Sequence, residues 1–572
     1  MPLLVVKAIS IAQSAGWRKF CFMPRLFLLS FLSLQLPFLY FWSNPKEKMS
    51  NSHDFWDSTK DKFSSGAKRL KLPKIDIPKK YLDIWRAILT ALKSFFKRLI
   101  RLPKILNRTD KIALLILFII LLGLLGYKFD RDWLKKTKKV PTVGGSYKEV
   151  LIGDAQYLNP ILAKTDTDKS INQLIYSGLT KIGADGNIAP DLAKSWEISA
   201  DGKTYTFHLR ENVVWQDGIG FSSADVANTI SAIKDENIKS PYFDAWKDVI
   251  VETPDINNVT FRLQDSYGPF IFNTLVGIIP AHIDSSNISS SPVGTGPYKF
   301  TKVVSGKNKK IEQVIIERSE VYYDQKPYIS EIDFQIATDE NQAREMFGSW
   351  GVNAVAAIAV KEKDVVNFSF PTSRYFGLVF NLTNDKFKDL AVRKKIKSGD
   401  KFDPALSFKM LVLDKPLSVS AAEELKNDYA GKGINITIDK KSAIDYSNLL
   451  EKKNFESVLY GFDSGYDRDP YPFWHSSQIA SGENYSGFVS KQADLLLENA
   501  RMTTDTASRN QKYDQFMTIL NDQVPVIFLP PQTFDFSVKN GILGIAKITG
   551  SEPKDHLNSI AEWYIKTKRV LP

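Results

Sequence analysis

The sequence predicts an α/β protein in which an apolar helix precedes a large folded region. Three observations carry this reading. Residues 112–127, IALLILFIILLGLLGY, are uncharged and are bounded by Lys111 and Lys128. Between positions 147 and 262, Asp185-Gly186, Asp201-Gly202 and Asn257-Asn258 each separate strand-like runs, the pattern of antiparallel hairpins. From Phe408 to Gly461, strand-like and helix-like segments alternate, which implies right-handed crossovers and a mostly parallel sheet.

At 572 residues the chain is too long for one ordinary domain. Its net charge of +12 is unevenly spread: Met1 to Val140 holds 28 Lys+Arg against 9 Asp+Glu, while the remainder holds 48 against 55. The large folded part is therefore mildly acidic, which argues against a nucleic-acid partner. Cys21 is the only cysteine, so no disulfide framework is possible. Its context, Arg18-Lys19-Phe20-Cys21, lacks the apolar and small residues of a lipoprotein signal.

Sixteen residues of helix span about 24 Å at about 1.5 Å each, a little under the hydrocarbon thickness, and flanking lysines can snorkel to supply the rest. A transmembrane helix is expected over 111–128. The basic residues on its N-terminal side place that side in the cytoplasm and the rest of the chain outside. The earlier apolar run Leu26 to Trp42 reads equally as a second span, a signal-like segment, or leader upstream of a start at Met49, so 1–48 stays unassigned. The topology is the same under each, with one pass or two through the cell membrane. Residues 49–110 form a basic cytoplasmic segment. Within it Trp85, Ile88, Leu89, Leu92, Phe96, Leu99 and Ile100 recur at helical spacing, suiting an amphipathic helix on an anionic membrane face or against a partner. Residues 129–146 read as a linker.

The folded region begins with a strand at Tyr147 to Ile152, a turn at Tyr157-Leu158-Asn159-Pro160, and a helix from Ser170 to Gly178. Tyr205, Phe207 and Leu209 alternate with polar residues, so that strand buries one face. Trp215-Gln216-Asp217-Gly218 is a turn, and Ser222 with Asp225 opens a capped helix. Gly294-Thr295-Gly296-Pro297-Tyr298 is a tight turn feeding a strand. It is not a phosphate loop, because no lysine follows in the required spacing and Pro297 lacks a backbone donor.

The ordered set Pro190, Leu192, Trp196, Asp201-Gly202, Tyr205, Phe207, Trp215, Asp217-Gly218 and Ala224-Asp225-Val226 resembles the family 5 solute-binding proteins of peptide and nickel ABC importers. Tyr176 to Leu179, Gly294 to Tyr298, Asn381, Asp389, Val392-Arg393 and Ile396 extend the resemblance. It implies a two-lobed, periplasmic-binding-protein-like fold (Venus flytrap, class II). Lobe I would comprise 147–372 and 530–572 and lobe II 373–529, with crossovers near Ser369 to Tyr375 and Val524 to Pro531. Only Lys397 to Leu406 stands where the family has a longer helical stretch, so lobe II is expected to be trimmed. Asn484-Tyr485-Ser486-Gly487 is expected as a strand beside the cleft.

Ligands in parallel sheets sit outside the carboxyl ends of the strands. The loop there is FDSGYDRDPYPFWHSS, Phe462 to Ser477, whose aspartates and aromatics suit a cationic amine. The resemblance implies a carboxylate shortly before an Asp-Pro pair that holds a peptide's α-ammonium. With Asp469-Pro470 as the pair, that position falls on Tyr466, beside Asp467 and three residues after Asp463. The expected ligand site is Asp467 first and Asp463 second, with Tyr466, Asp469, Trp474, Tyr157, Asn159 and Tyr485. No nucleophile elbow, HExxH helix or paired-cysteine spacing occurs, so neither an enzyme nor a cofactor is expected. His475, near Asp467 and Asp469, is the one position considered for a metal. The function implied is a membrane-anchored, monomeric binding protein that captures short peptides and delivers them to ABC permease subunits. A ligand-sensing receptor or scaffold, or a binder of a nickel complex, are the alternatives.

Overall fold

A computed structural model describes Thr90 and residues 107–571, apart from 286, 307–309 and 350. The leader over 1–48 and the amphipathic segment around Trp85 to Ile100 fall outside the described residues, Thr90 excepted. The chain divides after Lys128 into two compact units, and the second, Phe129–Pro572, holds the folded body.

The first described helix, α1 (Arg108–Lys136), contains the apolar run, and side chains such as Leu117, Leu124 and Tyr127 are exposed. The run ends at sixteen residues, against the roughly 20 that cross a bilayer core. Among the described residues no helix is long and apolar enough to cross a membrane, and the span expected over 111–128 is to that extent not found. The expected linker is partly a strand: Lys138–Thr142 pairs antiparallel with Lys566–Val570, and Arg569 donates to the Thr137 hydroxyl at 3.0 Å.

One ten-stranded sheet runs through the body. Its strands in chain order are β1 (Ser146–Ile152), β2 (Tyr298–Ser305), β3 (Ile311–Arg318), β4 (Glu331–Ala337), β5 (Ala354–Ala356), β6 (Val365–Phe380), β7 (Leu406–Leu413), β8 (Ile434–Lys441), β9 (Ser457–Asp463) and β10 (Val526–Lys539). Across the sheet they lie β8-β7-β9-β6-β10-β5-β1-β4-β3-β2. β1 is parallel to β4 and β5, and β7 is parallel to β8 and β9. Between these groups β6 and β10, sixteen and fourteen residues long, pair antiparallel along most of their length. Their register slips between Pro371 and Gly377.

On one side of that slip a single core gathers Phe370, Phe534, Phe536 and Trp563 with Tyr205, Phe207, Trp215 and Trp246. The predicted alternation holds, with Tyr205, Phe207 and Leu209 buried in a four-stranded antiparallel sheet. Helix α2 (Asp166–Ile175) starts four residues before the expected Ser170, because Thr165 and Asp168 form a capping box. Helix α3 (Ser223–Lys234) opens on the predicted Ser222–Asp225 box. The glycine turn at 294–296 presses on the end of α2: a Cβ at Gly294 would stand 1.8 Å from the Ile175 carbonyl oxygen. Gln216 holds that turn, donating to Tyr298 O at 2.8 Å and accepting from Gly294 N at 3.0 Å.

Beyond the slip, alternate residues of the strands face opposite ways. Leu378, Phe380, Met410 and Val412 bury on one face, against helix α4 (Pro416–Ala430). Val379, Leu411, Val458 and Phe462 bury on the other, with helices α5 (Ala443–Glu451), α6 (Lys491–Arg501) and α7 (Thr506–Gln523). The order β7-α4-β8-α5-β9 is the predicted alternation. Asn484 to Gly487 form a turn and not the expected strand. Buried Asn484 fixes it, donating to Phe488 O at 2.9 Å and accepting from Ser486 Oγ at 2.9 Å.

The C-terminal segment is pinned to β1 by a buried cluster. His556 Nε2 lies 2.7 Å from Glu149 Oε1, its Nδ1 lies 2.6 Å from Pro553 O, and Tyr147 donates to Glu149 Oε2 at 2.9 Å. Both imidazole nitrogens face acceptors, which favours the imidazolium. Burial alone would lower the His556 pKa, but the Glu149 carboxylate and the two hydrogen bonds outweigh it and hold it above its ordinary value. A raised histidine stabilises the fold fully below its unfolded pKa, about 6.5, and the contribution is lost as pH rises through the folded value. Urea unfolding from pH 6 to 9 should show this loss of stability on the alkaline side, and His556→Ala should abolish that slope and lower stability by about 3 kcal/mol.

Candidate functional site

β9 ends at Asp463, and the loop 464–470 leads into the short helix Tyr471–Trp474. Each aspartate of this loop has an arginine partner. Asp467 accepts from Arg509 Nε at 2.8 Å and from the Tyr513 hydroxyl at 3.0 Å, and forms an ion pair with Arg509 Nη2 at 2.6 Å. Arg509 is 1 % exposed and also donates to Thr503 O at 2.9 Å. Burial pushes the Asp467 carboxyl up to about 6, against the opposing pull of Arg509 and Tyr513. Asp469 accepts from Arg501 Nε at 2.7 Å and caps Tyr471 N at 3.0 Å, while the Arg501 guanidinium lies 3.7 Å from the Tyr471 ring centroid. Arg468, between the two aspartates, is left-handed at φ 59°, a conformation held by the pairs on either side.

Asp463 accepts from Ser373 Oγ at 2.7 Å and Arg374 Nε at 3.1 Å. The same guanidinium donates through both terminal nitrogens, at 2.6 Å each, to the carboxylate of Asp166 at the start of α2. One arginine on β6 therefore joins the aspartates of α2 and β9.

Tyr466 is the loop residue that reaches across. Its hydroxyl donates to Asp555 Oδ1 at 2.7 Å, and its ring stacks on Phe272 with centroids 6.2 Å apart and planes 9° apart. Beneath it lies a cavity of about 450 Å³. Lys169, Asn172 and Gln173 of α2 form one wall, and the turn of 3-10 helix Pro553–Leu557 contributes Lys554 and Leu557. Buried Asn172 donates to Tyr157 O at 2.8 Å, while among the described residues its Oδ1 has no hydrogen-bond partner. Asp191, also in the wall, is raised by burial and pulled back by Lys181 at 3.6 Å and by the Tyr323 hydroxyl at 2.7 Å.

Of the eight residues expected at a ligand site, Tyr466 alone lines this cavity. Asp467, Asp463 and Asp469 are occupied by the arginines. Trp474 is buried beside Phe462, and Tyr485 packs on Tyr460. Asn159 is buried and caps the turn Pro160–Leu162, and Tyr157 is half-buried next to it. His475 is buried, 2.8 Å from Ser477 Oγ and 3.2 Å from Glu498, with neither Asp467 nor Asp469 among its partners. The sequence reading missed the α2 face and the segment at 553–557. Lys169, Asn172 and Gln173 recur at i, i+3 and i+4, which marks one helix face for polar work.

Residues 187–398 match the model of the bacterial extracellular solute-binding proteins, family 5 Middle. Over those residues the chain is similar to that family. It is similar to the oligopeptide-binding protein AppA of Bacillus subtilis, 23 % identical over 542 residues, covering 79 % of this chain and 97 % of that one. It is also similar to the nickel-binding periplasmic protein of Escherichia coli, 29 % identical over 191 residues, covering 32 % and 35 %. Among solved structures, CtaP, an ABC transporter substrate-binding protein of Listeria monocytogenes, superposes with TM-score 0.64 at 22 % identity, over 74 % of this chain and 100 % of CtaP. The B. subtilis AppA complex with a nonapeptide gives 0.58 at 19 %, over 75 % and 100 %. The body thus has the two-lobed α/β fold of these solute-binding proteins.

The buried Asp467–Arg509 pair carries a prediction. Asp467→Ala leaves a guanidinium inside the protein without its carboxylate, and chemical denaturation should register a loss of about 3 kcal/mol. An unchanged unfolding midpoint would show that the pair does not hold the loop.

Proposed function

We propose that this protein captures short peptides in the cavity of lobe I that Tyr466 of lobe II covers, and hands them to an ABC importer from a membrane anchor. The observation that carries the reading is the cavity itself. Its walls combine lysines and carboxylates, which suits a zwitterion. Its volume lies in the range of about 300–1,000 Å³ usual for small-ligand pockets. The oligopeptide-, dipeptide- and di/tripeptide-binding relatives favour peptides among small solutes.

In this reading lobe I is 147–372 with 530–572, and lobe II is 373–529. Asp463, Asp467 and Asp469 shape the loop through their arginines, and Tyr466 is its contact with the ligand. A peptide favours the closed population, in which Tyr466 meets Phe272 and Asp555, and the closed surface is what permease subunits recognise. The apolar run of α1 holds the body at the membrane, with the lysine stems at its ends extending its reach toward the headgroups.

Mass spectrometry of small molecules that co-purify with the full chain should find short peptides, and Tyr466→Ala should lower their retention about tenfold. A metal complex in their place, or retention indifferent to Tyr466, would overturn the peptide site. Deleting residues 112–127 should move the chain from the membrane pellet to the soluble fraction; continued sedimentation would reject the anchor.

A further inference from the structure

We propose that Lys554 is the anchor for the carboxylate of the ligand, so that the protein selects peptides with a free C-terminus. This rests on the peptide reading above and names the group that reads one end of the ligand.

Three lysines stand in the cavity wall, and two are already matched. Lys169 meets Glu552 at 3.2 Å, and Lys181 meets Asp324 at 2.9 Å. Lys554 differs. Among the described residues, the only carboxylate oxygen within 4.0 Å of its ammonium is Asp555 Oδ1, at 4.0 Å, too far for a hydrogen bond. Asp555 has no spare capacity to move closer. Its Oδ1 accepts from the Tyr466 hydroxyl at 2.7 Å and from Asn558 at 3.3 Å, and its Oδ2 accepts from Ser551 N at 2.8 Å and Glu552 N at 2.9 Å. Four donors fill the acceptor sites of one carboxylate.

A lysine side chain only 18 % exposed, without a hydrogen-bonded counter-charge, has lost much of its water and gained little in return. A ligand carboxylate in the cavity supplies the missing partner through a charge-assisted bond. The site is built in advance, because the backbone that carries Lys554 is fixed. Gln173 donates to Lys554 O at 2.6 Å, Asp555 caps the turn, and His556 ties it to Glu149. Preorganisation of this kind lets a single charge discriminate between ligands. The Lys554 ammonium also lies 5.3 Å from the Tyr466 ring centroid. Occupation of the lysine is thereby linked to the loop residue that covers the cavity.

The test is calorimetric titration of the full chain with tri-alanine and with tri-alanine carboxamide. The unaltered protein should bind the free acid about tenfold or more tightly than the amide. Lys554→Met, which keeps the apolar stem, should erase that preference by weakening the free acid about tenfold, with the thermal midpoint as the check that the variant folds. Equal affinity for acid and amide in the unaltered chain, or a preference that survives in Lys554→Met, overturns the assignment and leaves the peptide reading standing. Failure of both peptides to bind the unaltered chain overturns the peptide reading itself, and Lys554 as its anchor with it.

Discussion

The pairing of β6 with β10 is the constraint on which the rest of the body depends. Strands of ordinary length, about five or six residues, serve a single core. These two are long enough to contribute Phe370, Phe534 and Phe536 to the core that holds Trp215, and Leu378, Val379 and Val526 to the cores on the far side. Their pairing continues through both halves of the sheet, and its register is irregular between Pro371 and Gly377, opposite Phe528 to Thr533. Pro530 and Pro531 fall there and cannot donate to a ladder. The break therefore concentrates bending at one place. Arg374 sits inside it and ties Asp166 to Asp463 across the same point.

The loop after β9 shows how charge is used to set shape. Its aspartates look, in sequence, like an open anionic patch waiting for a cation. In the fold each is met by an arginine, 42 residues away for Asp467, 32 for Asp469 and 89 for Asp463. Two of these arginines come from α6 and α7, or their immediate ends, so the loop is held by the helices packed beneath it. What the pairs leave free to project is Tyr466, an aromatic ring with a polar tip, suited to touch an apolar neighbour and a buried carboxylate at once.

Local chemistry was legible and distant pairing was not. The alternation at Tyr205, Phe207 and Leu209, the box at Ser222 and Asp225, and the run from β7 to β9 depend on residues a few positions apart, and the structure follows them. The early start of α2 was equally local, since Thr165 and Asp168 spell a capping box, and reading past them displaced the helix by four residues. The turn at Asn484 to Gly487 went the other way. Its resemblance to a family segment implied a strand, but Asn484 bonds to Trp474 O, His475 O and Phe488 O, contacts that no local motif reveals. The site was half legible for the same reason. The loop was found because it follows a parallel strand, whereas the wall opposite is built from α2 and residues 553–557, nearly four hundred positions apart.

The two kinds of contact in the site differ in cost, and that difference decides what can move. Asp467 and Arg509 are buried together, and separating them would strand a charge, so the loop is bound to α7. The contacts across the cleft are lighter. Arg374 and Asp166 are 27 % and 37 % exposed, a setting in which an ion pair contributes about 1 kcal/mol or less. Tyr466 adds one hydrogen bond and one ring stack, and Gly268 and Ser266 add single bonds to Arg501 O and Met502 O. Under the proposed function, contacts this weak would leave the balance between open and closed forms to the few kcal/mol that a ligand supplies through its own contacts. A heavier set of interlobe bonds would hold the empty protein shut, and binding would then no longer change the population that a partner reads.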